Sequence, residues 1–456
     1  MHLSSLASPY GIGTMGKEAR EFVDFLKESG QTYWQLLPIG PTGYGDSPYQ
    51  SYSTFAGNPY FIDFEELEER GLLKKEEFEG VHWGDNEERV DYGILYQKRF
   101  EVLRNAVDRF SECTSLEFAI FCRENEFWLQ DYASFMGKKS QDEYFWKVIQ
   151  YFFFDQWYAL KKYANERGIL VIGDLPIYVS LDSVEMWAHP ELFQLDENGA
   201  PKAVAGCPPD GFSEEGQLWG NPLYDWEYME STGYEWWIQR IQYLCNVYDM
   251  LRIDHFRAFA GYYAIPYGET TAKNGSWREG PGMKLFTAVE RAIGKQPIIA
   301  EDLGYITEDV RQLLEETGFP GMKVLQFAFD RRDDSGVEYL PHNYVEHCVA
   351  YTGTHDNDTI LGWFNEANEE DTSFAKEYLH IENEEEMNWD MMDAVWGSKA
   401  ELAIVTAQDL LGLGSEARMN EPSTVGKNWQ WRARSGVFTK ELAKKIYKRM
   451  EKYERL

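Results

Sequence analysis

Four carboxylates follow short apolar segments of the sequence, and they are the strongest candidates for chemistry. They are Asp174 in VIGDLP, Asp254 in LRIDHF, Glu301 in IIAEDLG and Asp356 in TGTHDND. A carboxyl group at the end of a buried strand costs free energy unless it has a partner or a task. Because several carboxylates in one cleft repel one another and shift each other's pKa values, the set indicates acid–base work.

The neighbours of two of these carboxylates predict different roles for them. Side chains alternate along a strand, so Arg252 and Asp254 point to the same side, and we expect the guanidinium to hold Asp254 ionised, as a nucleophile requires. Glu301 follows the apolar run PIIA and would meet the other carboxylates. Both effects raise the pKa of Glu301 towards that of a proton donor.

Strands and helices must bring these side chains together. Short apolar runs predict six buried strands: YWQLLP at 33, ILVIGD at 169, MLRID at 250, PIIAED at 297, KVLQFAF at 323 and HCVAYTG at 347. Amphipathic stretches that begin near residues 17, 234, 284 and 307 predict helices. Repeated strand–helix alternation predicts an α/β fold with a parallel sheet, and the length allows a (β/α)8 TIM barrel whose strand ends meet at one mouth.

Two regions interrupt this alternation. Residues 60–145 carry acidic helical stretches and aromatic residues, whereas residues 180–232 are loop-like and rich in Pro, Gly and Trp. We interpret both as insertions at the active-site end of a single domain that spans residues 1–456. The loop 206–222 places four glycines around Trp219 and is either a lid over the cleft or an ordinary surface loop. The glycines are Gly206, Gly211, Gly216 and Gly220.

Composition and charge argue against several kinds of partner. The 44 Lys and Arg residues against 77 Asp and Glu residues give a net charge of −33, which repels nucleic acid and anionic lipid. No apolar run approaches the roughly 20 residues that span a bilayer, and the N-terminus does not resemble a secretory signal. Five cysteines without a CxxC pair fit a reducing compartment, so we expect a cytoplasmic protein without nucleic acid or membrane partners. The cysteines are Cys113, Cys122, Cys207, Cys245 and Cys348.

The aromatic residues point to the ligand. They make up 16% of the chain. Aromatic rings pack on the C–H faces of sugar rings while carboxylates accept hydrogen bonds from hydroxyl groups, so the composition favours a neutral, polyhydroxylated ligand. In that setting we expect Asp356, next to His355, to bind sugar hydroxyls, and His255 beside Asp254 to make a similar contact.

Two further motifs carry weaker signals. Residues 11–16 spell GxGxxG, the fingerprint of a dinucleotide site, but HLSSLASPY is a poor strand to precede it and the acidic residue required at the end of the next strand is missing. His355, Asp356 and Asp358 could suggest a metal, yet they lack the spacing of a helical HExxH motif. We expect neither cofactor nor metal.

Longer motifs together resemble the 4-α-glucanotransferase family, also known as amylomaltases or disproportionating enzymes. They occur in the family's order, and the resemblance runs from about residue 4 to residue 432: GPTGYGDSPYQSYSTFAGNPY, GDLPIYV, GQLWGNPLYDW, LRIDHFRAF, AEDLG and GTHDND. The resemblance implies a (β/α)8 barrel of the α-amylase clan without the clan's C-terminal β-domain. It implies transfer between malto-oligosaccharides or starch- and glycogen-type glucans without a cofactor. Family members usually have residues ahead of MHLSSL that complete the first barrel strand, so we expect this chain to start within it.

The resemblance also implies roles for individual residues. Asp254 corresponds to the nucleophile of a retaining enzyme, Glu301 to the acid/base and Asp356 to the group that stabilises the transition state. Substrate-binding positions correspond to Ser47, Tyr49, Asp174, Trp219, Arg252, His255 and His355. A plain α-glucan hydrolase with the same carboxylates stays open, as do, more remotely, an NAD-dependent oxidoreductase and a non-catalytic glucan-binding protein. The sequence does not choose an oligomeric state.

Overall fold

The computed structural model describes residues 1–111, 115–209, 214–304, 306–332 and 334–456, so Cys113 and Gly211 lie outside the described residues. The strands of this part of the chain are Tyr33–Gln35 (β1), Leu170–Leu175 (β2), Ala203–Cys207 (β3), Gln217–Pro222 (β4), Met250–Ile253 (β5), Gly261–Pro266 (β6), Ser276–Glu279 (β7), Ile298–Ala300 (β8), Gly321–Val324 (β9), Cys348–Tyr351 (β10) and Leu402–Ile404 (β11).

The α-helices cover the regions before, between and after these strands. They are Lys17–Glu28 (α1), Phe64–Glu69 (α2), Tyr92–Phe110 (α3), Leu116–Glu124 (α4), Glu126–Lys139 (α5), Glu143–Asn165 (α6), Val184–Ala188 (α7), Trp226–Ser231 (α8), Glu235–Val247 (α9), Met283–Ile293 (α10), Glu308–Thr317 (α11), Ile360–Glu366 (α12), Glu369–Leu379 (α13), Met387–Trp396 (α14), Ala407–Leu411 (α15) and Lys440–Lys452 (α16). Within the described ranges, no helix has the length and apolarity needed to cross a bilayer.

Seven of the strands run parallel, in the orders β1-β2-β5-β8 and β9-β10-β11. The two groups meet where the Ala300 amide in β8 donates a hydrogen bond to the carbonyl of Pro320, just before β9, at 3.0 Å. Inward side chains of all seven strands share one apolar cluster, so the sheet curves around it. Across this cluster the Tyr351 hydroxyl in β10 donates to Gln35 Oε1 in β1 at 3.0 Å. The α/β class predicted from the sequence is therefore confirmed.

The six predicted parallel strands are present, but one of them is shorter than predicted. The run KVLQFAF continues β9 only to Val324, and Leu325–Phe329 forms a 3-10 helix. An apolar run cannot separate a strand from a tight turn whose side chains are also buried. The strand β11, in the run ELAIV, is an element that the sequence analysis missed. The four predicted helices correspond to α1, α9, α10 and α11.

The region 180–232 is not simply loop-like, and that expectation was wrong. It contributes β3 and β4 to an antiparallel sheet with the order β4-β3-β6-β7, together with α7 and α8. Its glycines permit close strand approach as well as turns, because a Cβ atom on Gly206 would lie 2.2 Å from the carbonyl oxygen of Gln217. In contrast, residues 60–145 contain the predicted helical stretches, which form α2 to α5.

A buried arginine ties α9 to the segment that follows β2. Arg240 is 1% exposed. Its Nη2 atom donates to the carbonyl of Pro176 at 2.6 Å, its Nη1 atom to the carbonyl of Ile177 at 3.1 Å, and its Nε atom to the Thr54 hydroxyl at 2.6 Å. Since unpaired carbonyl groups in the interior are costly, this arginine fixes the path of the chain just after Asp174.

Candidate active site

One guanidinium group, that of Arg252, lies among three carboxylates at the ends of neighbouring strands. Its Nη1 atom is 2.8 Å from Asp174 Oδ1 and 3.2 Å from Asp254 Oδ1, and its Nη2 atom is 3.6 Å from Glu301 Oε2. Burial by itself would lower the pKa of Arg252, but the attraction of Asp174 and Asp254 outweighs it and raises that pKa well above its ordinary value. Arg252 therefore remains a cation at the centre of the group.

The register of the sheet produces this arrangement. Asp174 in β2 and Arg252 in β5 are directly opposite partners. Asp254 follows Arg252 by two residues, so both side chains point to the same side. The last residues of β5 and β8 are also paired, which places Asp254 beside Glu301. These positions follow from parallel pairing alone, before any loop contributes.

The left-handed backbone conformation of His255 helps to position Glu301. His255 has a φ of 50°, in the region that few non-glycine residues adopt. The chain thus turns immediately after Asp254, and the His255 amide donates a hydrogen bond to Glu301 Oε2 at 2.5 Å. Backbone strain of this kind is often found at functional sites.

Burial shifts the pKa values of both central carboxyl groups upwards. It raises the pKa of Glu301 to about 8 and that of Asp254 to about 7, against the opposing attraction of Arg252. Arg252 favours the ionised form of Asp254, as expected, but its guanidinium is shared with Asp174, and desolvation is the larger effect on the pKa of Asp254. The two groups interact and titrate as a pair.

Tyr49 links this group to the fourth carboxylate. Its hydroxyl donates to Asp174 Oδ2 at 2.7 Å and lies 3.4 Å from His355 Nδ1, and the two rings stack with centroids 4.9 Å apart. His355 Nε2 is in turn 3.4 Å from Asp356 Oδ2. The field of Asp356 contributes to the raised pKa values of both Asp254 and Glu301. The four predicted carboxylates thus lie in one connected cluster.

The two histidines of the cluster are held neutral. Burial, followed by the charge of Arg257, lowers the pKa of His255 to about 3. Burial also lowers the pKa of His355, although Asp356 opposes that shift. A neutral imidazole can donate one hydrogen bond and accept another, which suits the binding of hydroxyl groups.

Asp356 has partners that the sequence analysis missed. Asn420 Nδ2 donates to Asp356 Oδ1 at 2.6 Å, and Arg418 Nη2 donates to the Asp356 carbonyl at 2.7 Å. Both residues lie in the segment after β11. Had the run ELAIV been assigned as a strand, the rule that strand ends share one mouth would have placed the following segment near the site.

The two remaining predicted residues, Trp219 and Ser47, each contact one residue of the cluster. The Trp219 ring, on β4, meets the His255 ring edge-on at 4.7 Å, and its Nε1 atom donates to Gln217 Oε1 at 3.0 Å. The Ser47 hydroxyl accepts a hydrogen bond from the Tyr49 amide at 3.3 Å, within its own turn. Among the described residues, no group of three or more His, Cys, Asp or Glu side chains has the arrangement of a metal site.

Replacing Glu301 by Gln should change how stability depends on pH. The folded pKa of Glu301, about 8, exceeds the ordinary value of 4.5, so the folded protein retains a proton that the unfolded chain releases. The stabilising effect is complete below pH 4.5 and is lost as the pH rises through 8. We expect Glu301→Gln to exceed the wild type in free energy of unfolding by about 1–3 kcal/mol at pH 9, with little difference near pH 4.5.

Urea unfolding between pH 4.5 and 9 measures this difference. The matched control is Glu290→Gln, at an exposed position of α10, which should follow the wild type at every pH. A stability difference for Glu301→Gln that does not vary with pH would contradict the assignment of a buried, protonated carboxyl group.

The chain matches one protein family over almost its whole length. Residues 1–144 and 136–438 match the family model described as 4-alpha-glucanotransferase. The chain is 49% identical to the 4-alpha-glucanotransferase of Clostridium butyricum, with 100% of each chain covered. It is 46% identical to that of Thermus thermophilus, over 100% of this chain and 98% of the relative.

Solved structures give the same result. The amylomaltase from Streptococcus agalactiae, in complex with acarbose, is 42% identical with a TM-score of 0.96, over 100% of this chain and 98% of that one. The amylomaltase from Corynebacterium glutamicum has a TM-score of 0.79 at 17% identity, over 99% of this chain and 74% of that one, and shows the fold alone. By the family match and the full-length identities, this chain belongs to the 4-alpha-glucanotransferase family.

Proposed function

We propose that the protein transfers α-1,4-glucan segments between malto-oligosaccharides by a retaining double displacement. The observation that carries the proposal is the pair Asp254 and Glu301, which lie side by side at the ends of β5 and β8 and share the guanidinium of Arg252. Acarbose, which occupies the related amylomaltase from Streptococcus agalactiae, supports a sugar ligand for this site.

In the first step Asp254 attacks the anomeric carbon of the donor while Glu301 protonates the glycosidic oxygen of the departing segment. A covalent glycosyl–enzyme remains, and Glu301 is left as a carboxylate. In the second step Glu301 removes the proton from the acceptor hydroxyl, which attacks the anomeric carbon and releases Asp254. The raised pKa of Glu301 supports its part in this division, because burial keeps its carboxyl group protonated at neutral pH, as a proton donor requires.

The strand register supports retention of configuration. Neighbouring strands lie about 4.8 Å apart, and the carboxyl groups of retaining enzymes are separated by about 5–5.5 Å. Inverting enzymes need a wider gap that admits a water molecule between sugar and base. Two carboxylates that follow paired strand ends are therefore better placed for direct attack by Asp254 than for water activation.

The other members of the cluster serve the substrate in this proposal. Asp356 stabilises the positive charge that develops on the sugar ring, with Asn420 and Arg418 fixing its position. Neutral His255 and His355 bind sugar hydroxyls. Tyr49 and Asp174 orient this surface, and Ser47 extends it.

The proposed architecture is a barrel that forms a single domain. A single (β/α)8 barrel is supported by seven parallel strands around one cluster and by the hydrogen bond from Trp34 Nε1 in β1 to the Met1 carbonyl, 2.7 Å long, which places the N-terminal residues beside the sheet. The regions 60–145 and 180–232 are its insertions.

The substrates are malto-oligosaccharides and starch- or glycogen-type glucans, and the acidic composition supports a cytoplasmic protein without nucleic acid or membrane partners.

Incubation with maltotriose tests the proposed activity. We expect glucose together with a ladder of longer oligosaccharides, because the intermediate passes to another sugar. Asp254→Asn should lower the transfer rate by roughly 10⁴-fold or more, as loss of a nucleophile does. The control is Asp249→Asn, at the opposite end of the same strand, which should retain wild-type transfer per folded molecule. Products no longer than maltotriose would instead indicate the alternative, an α-glucan hydrolase.

Trp219 is the candidate for excluding water from the intermediate. It is held on a strand and covers the edge of His255, so we expect it to act as a fixed wall that an acceptor sugar packs against. Trp219→Ala should raise the ratio of hydrolysis to transfer roughly fivefold, the equivalent of about 1 kcal/mol of aromatic contact. Leu218→Ala is the control, since this neighbour faces the opposite side of β4 and is exposed. An unchanged ratio in Trp219→Ala would remove Trp219 from this role.

A further inference from the structure

A buried carboxylate outside the sugar site connects β10 to α12. Asp409, on α15, is 2% exposed. Its Oδ2 atom accepts a hydrogen bond from the Thr352 hydroxyl at 2.9 Å, and its Oδ1 atom accepts one from the Ile360 amide at 2.8 Å. Thr352 directly follows β10, and Ile360 is the first residue of α12. One side chain therefore holds both ends of the segment between them.

That segment, residues 353–359, carries His355 and Asp356 into the candidate active site. Internally it is closed by Asn357 Oδ1, which accepts from both the amide and the hydroxyl of Thr354 at 2.9 Å. Gln326 Nε2 also donates to the Asp358 carbonyl at 2.8 Å. The segment is thus a fixed turn. Asp409 holds both of its ends, and Gln326, Arg418 and Asn420 hold residues between them.

Asp409 is itself held in place by its surroundings. Asn388, buried on α14, donates from Nδ2 to the Asp409 carbonyl at 2.8 Å. The Asp409 amide donates to the hydroxyl of Thr406, the N-cap of α15, at 3.2 Å. The carboxylate also lies at the N-terminus of α12, where the helix dipole favours a negative charge. The position of Asp409 is therefore set by α14 and α15, independently of any ligand.

We propose that Asp409 is a positioning residue for glucan transfer, which fixes both ends of the turn 353–359 and so holds Asp356 in the cluster that contains Asp254 and Glu301. The inference rests on the proposed function and adds a residue that acts through the turn. A displacement of about 1 Å in a catalytic group can cost about 100-fold in rate. Because Asp356 is expected to act on charge present only in the transition state, the loss should appear in kcat rather than in KM.

Three variants and one control test the inference with maltotriose as substrate. Asp409→Ala should lower kcat by about 10–100-fold and leave KM within about threefold. Asp409→Asn should restore most of kcat, because its amide oxygen can accept from Ile360 while its NH2 group donates to the Thr352 hydroxyl. Thr352→Val removes one of the two bonds and should give an intermediate kcat.

The chain offers a closely matched control in Asp63. This residue is 3% exposed and accepts from the Thr14 hydroxyl at 2.6 Å and from the Glu66 amide at 3.0 Å, at the N-terminus of α2. Asp63→Ala therefore breaks the same pair of bonds elsewhere, and it should lower stability while kcat per folded molecule stays at the wild-type value.

The results distinguish a failure of the positioning role of Asp409 from a failure of the proposed function. A wild-type kcat per folded molecule in Asp409→Ala, or an equal loss in Asp63→Ala, would overturn the positioning role. If Asp409→Ala does not fold, Thr352→Val decides: a reduced kcat at constant KM supports the role, and an unchanged kcat overturns it. Failure of the wild-type protein to transfer glucan would count against the proposed function instead.

Discussion

The structure of the candidate site depends on the burial of Arg252 among carboxylates. Moving any one of these charges out of water is expensive, and their mutual attraction compensates only when the geometry is good. Arg252 achieves this through cross-strand pairing with Asp174, which has a side chain only 1% exposed. The remaining attraction of Arg252 is divided between Asp254 and Glu301. For neither carboxylate does this attraction fully offset the cost of burying its charge. The site thus retains a buried pair of carboxyl groups with raised pKa values, and this unfavourable electrostatic state is what acid–base chemistry requires.

Three levels of structure contribute to this state. Parallel strand register places Asp174, Arg252, Asp254 and Glu301, and Arg240 fixes the chain where it leaves β2. Asp356 is not positioned by strand register. It lies on a turn that is held by Asp409 and by the segment after β11. The antiparallel sheet then adds Trp219 beside His255. The sheet therefore carries the two carboxyl groups that we propose react, and contacts between distant segments position Asp356, the proposed stabiliser of charge.

The sequence predicted the part of the site that short-range rules control. Alternation along β5 put Arg252 and Asp254 on the same side, and apolar runs located the strands that end in carboxylates. Contacts between distant segments could not be read in this way. Asn420 and Arg418 reach Asp356 from more than 60 positions away along the chain, and Asp409 has no local motif that distinguishes it from an ordinary helix cap. The Pro and Gly content around Trp219 predicts a loop and conceals β3 and β4, which pair with each other, while β3 also pairs with the distant β6. The sequence predicted the attraction between Arg252 and Asp254 but not the desolvation that raises the pKa of Asp254, because desolvation depends on packing that the sequence does not display.

The central claim is that Asp254 forms a covalent bond to the sugar while Glu301 handles the proton. Reaction of Glu301→Gln with an α-maltosyl fluoride donor tests it most directly, because fluoride leaves without protonation and the next step lacks its base. Mass spectrometry of the digested protein should then show one maltosyl group on the peptide that contains Asp254. A maltosyl group on another peptide, or turnover of the donor without any attached sugar, would contradict the account.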